Sequence, residues 1–379
     1  MKAERPLRIT FVCRSENLSG GQRVIAIYAD RLARRGHHVT VVLPKTSRPS
    51  FKDQMRALAR GRVLIQRPPI KESFFRDSSF TVSRLAHFGP VTDRDLPNAD
   101  VIIASWWETA EWISTLDVSK GAKVYFIQHG EFQNYLPVER CQSTYRLPFH
   151  KIVVAPWLRR MMNDQYDDAT VDVVPNSVDR TQFFATIRGK QPVPSVGFLY
   201  STDPVKGLNC LIMALELVKK RISNLRCISF GRQRPGRQLS LPRGTEFYHS
   251  PPQDQIRNVY ASCDAWITPS RSEGFNLPAI EAMACRTPVV STRTGWPEEA
   301  IKPSWNGALV DVDDVYGLAQ GIEWVLTRNN EDWRRLSDNA LATASVGSWD
   351  ESAAMFEAAL EHACRRTARG EIPANVSVA

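Results

Sequence analysis

The sequence predicts an α/β protein of two Rossmann-like, doubly wound domains followed by C-terminal helices. Three observations lead there. Length is the first: 379 residues, at roughly 150 residues per domain, is enough for two. The second is alternation. Short apolar runs of strand size take turns with helix-period patterns along the chain, as in parallel sheets with crossover helices. The third is an interruption. Residues 180–194 lose the alternation, and Lys190-Gln191-Pro192-Val193-Pro194 is proline-rich and polar, as a connection between domains is. After it the alternation begins again.

In the first half, Leu7 to Cys13 reads as a buried strand, and a polar loop ending Ser19-Gly20-Gly21 follows. Val24, Ile27, Tyr28 and Leu32 then share one helical face. Arg31, Arg34 and Arg35 sit in the last turns, where cations suit the dipole, and Gly36 is placed to end the helix. His38 to Leu43 is the second strand, which completes a right-handed strand–helix–strand unit. Further strands are expected at 62–66, 100–104, 122–128, 151–155 and 171–174.

In the second half, Val196 to Tyr200 is a strand and Lys206 to Arg221 a helix burying Leu208, Leu211, Ile212, Leu215 and Val218. Strands follow at 225–230, 245–248, 265–268, 288–291 and 308–310, with helices at 254–262 and 278–284. The end is helical: Leu318, Ile322 and Val325 lie on one face, and Trp349, Ala353, Phe356 and Leu360 form a second stripe. The domains are therefore drawn at 1–185 and 195–345. A helix at 346–365 is placed to cross back to the first domain, and a flexible polar tail covers 366–379. Open α/β sheets bind ligands outside the carboxyl ends of their strands, so an interdomain cleft is the expected site.

Composition narrows the function. Hydrophobic residues make up 43% and charged residues 23%, which suits a soluble globular protein and excludes disorder of the whole chain. No apolar run approaches the 18 or so residues of a membrane-spanning helix. Met1 to Pro6 leads into a strand with no secretory h-region, so a cytoplasmic protein is expected. Seven cysteines without a C-x-x-C pair argue against a disulfide framework or a zinc site. The 49 basic and 40 acidic residues leave a net charge of +9. No nucleic-acid module accompanies that charge. The clusters Arg31, Arg34, Arg35 and Arg365, Arg366, Arg369 leave weak peripheral association with an anionic membrane face as a second reading.

The chemistry concentrates in Pro269-Ser270-Arg271-Ser272-Glu273-Gly274-Phe275-Asn276-Leu277-Pro278-Ala279-Ile280-Glu281. It follows a strand, and Pro278 suits the first turn of a helix. Glu273 thus lies in the loop and Glu281 one turn inside the helix. The turn between them presents backbone N–H groups at a helix N-terminus, a site for phosphate or for developing negative charge.

Glu273 and Glu281, eight apart in this context, resemble the pair of the retaining, nucleotide-sugar-dependent glycosyltransferases of family 4 (group 1), which have the two-domain GT-B fold. The likeness extends over most of the chain. Asp264 to Ser270, Thr287 to Ser291 and Asn306 to Val310 resemble that family's strands. Val174-Pro175-Asn176-Ser177-Val178-Asp179 resembles its domain junction, and Gly197-Phe198-Leu199 with Lys206-Gly207 its first strand and helix start in the second domain. Gly20-Gly21 and Gly36-His37 match its first loop and helix end.

The resemblance implies roles. Glu273 would bind donor-sugar hydroxyls near the reacting centre, and Glu281 the ribose. The backbone of Gly274, Phe275, Asn276 and Leu277 would hold the diphosphate together with Lys206. Gly20 and Gly21 would let the first loop approach closely, and His129, in Gln128-His129-Gly130, would reach the sugar from the opposite domain. Catalytic roles thus fall to Glu273, His129 and Lys206, with no metal and no bound cofactor; the nucleoside-diphosphate sugar is a co-substrate. The first domain would take a glycan, lipid-linked or small-molecule acceptor.

Two positions depart from the family. Phe198 stands where it has a diphosphate-binding arginine, for which Arg23, Arg232 or Arg271 would have to substitute. Asn276 stands at a usual glycine, and asparagine tolerates the left-handed conformation next best.

Plainer readings compete with these roles. Glu273 and Glu281 read alone are surface carboxylates, but their context outweighs that. Lys206 competes with an ordinary helix-start lysine, His129 with a satisfied turn histidine and Gly20-Gly21 with a plain turn. Asn176 and Asp179 read as structural, Asp311-Val312-Asp313 as a strand end with Asp314 as an N-cap, and Trp106, Trp107 and Trp112 as core. The expected activity is transfer of a hexose-type sugar to an acceptor hydroxyl, in polysaccharide, lipid-linked glycan or glycoconjugate synthesis. The rivals are a nucleotide-sugar epimerase of the same architecture and a non-catalytic two-lobed sugar-binding protein. A dehydrogenase is set aside, because Ser19-Gly20-Gly21-Gln22 is not its glycine fingerprint.

Overall fold

The computed structural model describes residues 5–45, 55, 73–76, 78–133, 135–237 and 239–373. These form two compact units. The first comprises Met1–Val153, Arg159–Val174 and Ala353–Ala379, and the second Val154–Leu158 and Pro175–Ser352.

The first unit carries a seven-stranded, all-parallel sheet. Its strands are β1 (Arg8–Val12), β2 (His38–Leu43), β3 (Thr81–Arg84), β4 (Val101–Ala104), β5 (Ala122–Ile127), β6 (His150–Val153) and β7 (Asp172–Val173). Their order is β3-β2-β1-β4-β5-β6-β7. The central strands β4, β5 and β6 are buried throughout, whereas edge strand β3 is not. That is why the central strands read as continuous apolar runs and Thr81–Arg84 went unread: an edge strand needs no apolar run. The strand expected at 62–66 lies outside the described residues.

Helix α1 (Gly20–Arg34) connects β1 to β2. It ends as its sequence predicts. Gly36 adopts φ 103°, its N–H bonds to Ala33 O, and that of His37 to Leu32 O, so two terminal carbonyls are satisfied. Helices α2 (Trp107–Ser114), α3 (Val138–Tyr145) and α4 (Pro156–Tyr166) continue the winding.

The second unit repeats the topology with six parallel strands. They are β8 (Ser195–Leu199), β9 (Arg226–Gly231), β10 (Glu246–His249), β11 (Ala265–Thr268), β12 (Val289–Thr292) and β13 (Gly307–Val310), in the order β10-β9-β8-β11-β12-β13. Its helices are α5 (Leu208–Arg221), α6 (Gln253–Ala261), α7 (Leu277–Ala284), α8 (Trp296–Ala300), α9 (Val315–Leu326) and α10 (Asn330–Ala344). Asp314 caps α9 by accepting from Gly317 N at 2.8 Å.

The boundary between the units falls at Val174/Pro175, not within the proline-rich stretch. Residues 188–191 are fastened to the second unit. Arg188 donates to Cys263 O and Thr287 Oγ1, Lys190 Nζ to Leu326 O and Arg328 O, and Gln191 N to Asp264 at 2.7 Å. Asp264, fully buried, also receives Ser195 N at 2.9 Å. Burial nevertheless leaves its pKa raised, with those backbone donors opposing.

The terminal helix α11 (Trp349–Ala368) belongs to the first unit from Ala353 onward. Phe356, on the stripe read from the sequence, stacks on Tyr28 (4.5 Å) and Phe11 (6.1 Å) and meets Phe126 edge-on (5.0 Å). Beside it, Glu357 accepts from Arg35 and from His37 Nε2 at 2.7 Å. Because His37 Nδ1 already accepts Leu7 N–H, Nε2 carries the ring proton to Glu357. Burial opposes the Glu357 charge, but these donors outweigh it and lower the pKa. Farther along, Asp172 accepts from His150 Nε2 and lies 3.1 Å from His362 Nδ1, while Arg366 lies 3.2 Å from His150 Nδ1. The start of the expected flexible tail is therefore tied in: the helix continues to Ala368, this cluster holds Arg366, and Ile372 is buried. Residues 374–379 lie outside the described residues.

All seven cysteines are unpaired, and no helix of the described residues is long and apolar enough to cross a membrane. Arg34 pairs with Asp30, Arg35 with Glu357, Arg365 with Glu361, and Arg366 and Arg369 with Glu371. The basic clusters that favoured an anionic membrane face are thus largely engaged within the protein.

Phe356→Ala should lower the stability of the chain by about 3–5 kcal/mol, the range for emptying a large buried aromatic position. A urea midpoint that fails to move would show that α11 is not anchored through this ring.

Candidate active site

Strands β8 and β11 pair at the point where the second sheet reverses its order, with Ala265, Trp266 and Ile267 opposite Val196, Gly197 and Phe198. The loops that follow them leave on either side of that switch point, where open sheets bind ligands. Asp203 caps a single 3₁₀ turn, Pro204–Lys206, by accepting Val205 N at 3.0 Å. Gly207 then takes φ 64°, and the helix begins only at Leu208. Lys206 thus sits on a turn ahead of the helix and is not its first residue, because Gly207 breaks the register.

A Cβ on Gly207 would lie 1.9 Å from Pro269 O, so the two loops touch backbone to backbone. Arg271 reinforces the contact: its N–H donates to Val205 O at 2.7 Å and its guanidinium to Pro204 O at 2.9 Å. The result is a compact polar cluster. Lys206 Nζ lies 2.7 Å from Glu273 Oε1, and Ser270 Oγ donates to the same oxygen at 2.7 Å. Glu273 and Ser270 are buried, while a third of the Lys206 side chain remains exposed.

The turn after Glu273 is held from outside by its carbonyls. Trp157 Nε1 donates to Gly274 O at 2.9 Å, and Trp296 N to Phe275 O at 3.0 Å. The Phe275 ring stacks on that of Trp296 at 5.5 Å. None of these bonds uses the N–H of Phe275, Asn276 or Leu277, and among the described residues no acceptor faces them. Asn276 takes φ 79°, ψ 68° at the N-cap of α7, and Pro278 stands in that helix's first turn. Glu281, inside α7 and buried, accepts from Tyr260 OH at 2.9 Å. Lys206, Glu273, Gly274, Phe275, Asn276, Leu277 and Glu281 therefore share one edge of the second unit.

Gly20, Gly21 and His129 belong to the first unit, at the carboxyl edge of its sheet. Ser19 caps α1 through Gln22 N, so Gly20 and Gly21 open the helix, and a Cβ on Gly21 would sit 3.5 Å from the Gln128 amide. His129 follows Gln128. Gln133 Nε2 lies 3.1 Å from its Nδ1, and Tyr145 OH donates to its carbonyl at 3.4 Å.

Sequence reasoning missed Glu131, two residues on and almost fully buried. Its carboxyl accepts from Trp107 N at 3.3 Å and Tyr125 OH at 3.2 Å, and its own N–H donates to Tyr145 OH at 3.0 Å. Burial pushes its pKa up to about 8, against the pull of Tyr125 and the Trp107 N–H. A neutral carboxyl thus underpins the turn that carries His129. A glutamate after Gln-His-Gly gives no sign of this in sequence, because its partners come from β5, α2 and α3. Trp157, Tyr260 and Trp296 escaped notice for the same reason, and Ser270, though inside the Pro269 to Glu281 segment, was given no role.

The departure read at Phe198 takes a different form. Its side chain is fully buried inside β8, so nothing at that position can face a ligand. Of the suggested substitutes, Arg271 is engaged by Asp313 and Pro204 O. Arg232 is exposed, just past the carboxyl end of β9 beside β8. Asp311 and Asp313 pair with Arg293 and Arg271. Trp107 is buried in α2, with Arg140 over its ring.

Known proteins resemble this chain in two ways. In sequence, the family models Glycosyltransferase Family 4 and Glycosyl transferases group 1 match residues 18–182 and 179–343. A glycosyltransferase of Methanocaldococcus jannaschii is 33% identical over 99 residues, 26% of this chain and 28% of that protein. The D-inositol 3-phosphate glycosyltransferase of Corynebacterium urealyticum is 29% identical over 173 residues, 42% of this chain and 40% of that one. An MMP alpha-(1->4)-mannosyltransferase of Mycolicibacterium hassiacum is 31% identical over 204 residues, 52% and 49% of the two chains. The chain thus spans from 28% to 49% of the length of these curated relatives.

In structure, Anabaena HepE in complex with UDP and glucose superposes with a TM-score of 0.71 at 16% identity, over 94% of this chain and 99% of that one. Sucrose-phosphate synthase from Thermosynechococcus elongatus gives 0.70 at 17%, over 94% and 99%. At such identities the structural likeness is one of fold.

Two measurements test the site's construction. Gly207→Ala should cost at least about 1–3 kcal/mol, since it adds both a disfavoured backbone angle and a clash with a carbonyl; an unchanged melting temperature would refute the close approach. Glu131 holds its proton in the folded chain to about pH 8 but releases it near pH 4.5 when unfolded. Between those values the folded state binds more protons, so stability falls as pH rises, by up to about 1.4 kcal/mol per pH unit. Glu131→Gln, which mimics the neutral acid, should flatten that decline, and an identical slope in both proteins would remove Glu131 as its source.

Proposed function

The chain belongs to the group 1, family 4 type of glycosyltransferases with the GT-B fold, and from that membership we propose that it moves a hexose-type sugar from a nucleoside diphosphate to an acceptor hydroxyl, with retention of configuration. The observation that carries the proposal is the cluster of Lys206, Ser270 and Glu273 beside a turn whose N–H groups meet no acceptor among the described residues.

In this reading the bond between the sugar's anomeric carbon and the diphosphate breaks while the acceptor oxygen bonds on the same face. The acceptor's proton passes to the departing phosphate oxygen. Negative charge grows on the diphosphate, and Lys206 with the N–H groups from Phe275 to Leu277 is arranged to receive it without reorganising. Glu273, oriented by Ser270 and Lys206, accepts from sugar hydroxyls. Glu281, oriented by Tyr260, takes the ribose diol. His129 is proposed to act on the sugar and Gly20-Gly21 to let the acceptor-side loop come close. The positive charge comes from the chain's own groups, so no resident metal forms part of the proposal.

UDP and glucose bound in the HepE structure support a nucleotide-sugar donor. The named relatives, an inositol phosphate glycosyltransferase and a mannosyltransferase, favour a hexose and a small or glycan acceptor. A thermal-shift panel of nucleoside diphosphates and their sugars should show one selective stabiliser; no shift with any of them would refute the proposal. With the donor so identified, Glu273→Gln and Lys206→Ala should each lower turnover by at least about a hundredfold. Wild-type turnover in Lys206→Ala would remove that residue from the site, and donor consumption without acceptor would mark an epimerase instead.

A further inference from the structure

At the amino ends of the first sheet's strands, opposite the carboxyl edge that holds His129, three side chains converge that the proposed reaction does not use. His150 opens β6 and Asp172 opens β7. Asp172 pairs with Ile152, two residues on from His150, so both side chains leave the same face of the sheet. Helix α11 meets them there with His362, and Arg366 follows one helical turn later. His150 Nε2 lies 2.9 Å from Asp172 Oδ2, and His362 Nδ1 lies 3.1 Å from the same oxygen. All three atoms fall within 4.8 Å of one another. Ligands at about 2.1 Å from a tetrahedral ion stand about 3.4 Å apart, so small side-chain movements would seat one.

The His150 ring is fully buried and forms the floor of the cluster, while the side chains of Asp172 and His362 are 36% and 43% exposed and form its open side. An ion therefore enters between Asp172 and His362 and reaches His150 Nε2 by parting the bond to Asp172. Two imidazole nitrogens and one carboxylate oxygen suit zinc and its neighbours, not calcium or magnesium. The scatter of the cysteines excludes a thiolate zinc site, not one of this composition.

We propose that His150, Asp172 and His362 bind a zinc-class divalent ion, with water as the fourth ligand, and that the ion fastens α11 to β6 and β7. Without it, Arg366 can only donate, so His150 Nδ1 accepts and Nε2 carries the ring proton to Asp172. The ion takes the lone pairs of His150 Nε2 and His362 Nδ1, and each neutral ring keeps its one proton on the other nitrogen. For His150 that nitrogen faces Arg366, which must then turn to Glu371, already 3.2 Å from its Nε. Arg366 thus competes with the ion.

Equilibrium dialysis of the full chain, free of any affinity tag, against Zn²⁺ should leave one ion bound per chain. His362→Ala, a change on the open side of the cluster, should weaken that binding at least about a hundredfold, since even an outer partner of a metal ligand is worth ten- to a hundredfold. Zn²⁺ should raise the melting temperature of the wild type by about 2 °C or more and leave that of His362→Ala unmoved. Arg366→Gln should bind Zn²⁺ about tenfold more tightly, because its amide oxygen can accept the Nδ1 proton where the guanidinium cannot. Co²⁺ in place of Zn²⁺ should give the visible bands of a four-coordinate ion without thiolate charge transfer. A wild type that binds no Zn²⁺, or His362→Ala that holds it equally well, would overturn the proposal. So would a thiolate band in the cobalt spectrum, which would put the ion on cysteine.

Discussion

The backbone contact between Gly207 and Pro269 is the constraint on which the site depends. Sheet order makes β8 and β11 neighbours, but neighbouring strands do not by themselves make their loops touch. The contact needs a residue without a Cβ at 207, in a left-handed conformation that ends the Pro204–Lys206 turn before α5 starts. Only with the loops so close can the Lys206 ammonium reach the Glu273 carboxylate at 2.7 Å. The backbone contact comes first and the ion pair follows from it.

That order of causes explains the electrostatics. Glu273 is buried and needs its partners, because a carboxylate left alone there would be costly. Lys206 and the Ser270 hydroxyl supply them on one oxygen. Beside this pair, the N–H groups of the turn and the head of α7 add dipoles to the charge of the partly exposed Lys206. Fixed dipoles suit charge that moves during a reaction, since they are already oriented when it arrives.

Much of this was legible in the sequence. The order of strands and helices follows from alternation, because central strands of a parallel sheet are apolar on both faces and so read as plain apolar runs. In the stripe of Trp349, Ala353, Phe356 and Leu360, Phe356 marked the face of α11 that packs against Phe11 and Phe126 of the first sheet. The Glu273 to Glu281 segment stood out because residue types, spacing and the position of Pro278 agree. What could not be read is whatever depends on partners distant in the chain. Thr81–Arg84 carries no pattern because an edge strand needs none. The boundary at Val174/Pro175 is displaced from the prolines because Arg188, Lys190 and Gln191 find acceptors on β11, α9 and their flanks. Glu131 looks like any loop glutamate until Tyr125, Tyr145 and Trp107 close around it.

The two sheets share one strand order, yet their first loops are built differently. After β1, Ser19 caps α1 and two glycines open the helix, so the head of the helix itself is presented there. After β8, a proline turn and Gly207 delay the helix, and the residue displayed is a lysine. Strand order places both loops at a switch point, where ligands bind. It does not decide what they bind. That is decided by how each loop is built and not by its length, which differs by no more than one residue among the loops after β1, β8 and β11. In the second unit the loop after β8 gives the cation and the loop after β11 gives the helix head, and the Gly207–Pro269 contact holds the two together. A repeated strand order can therefore present a lysine on a turn in one copy and a pair of glycines at a helix head in the other.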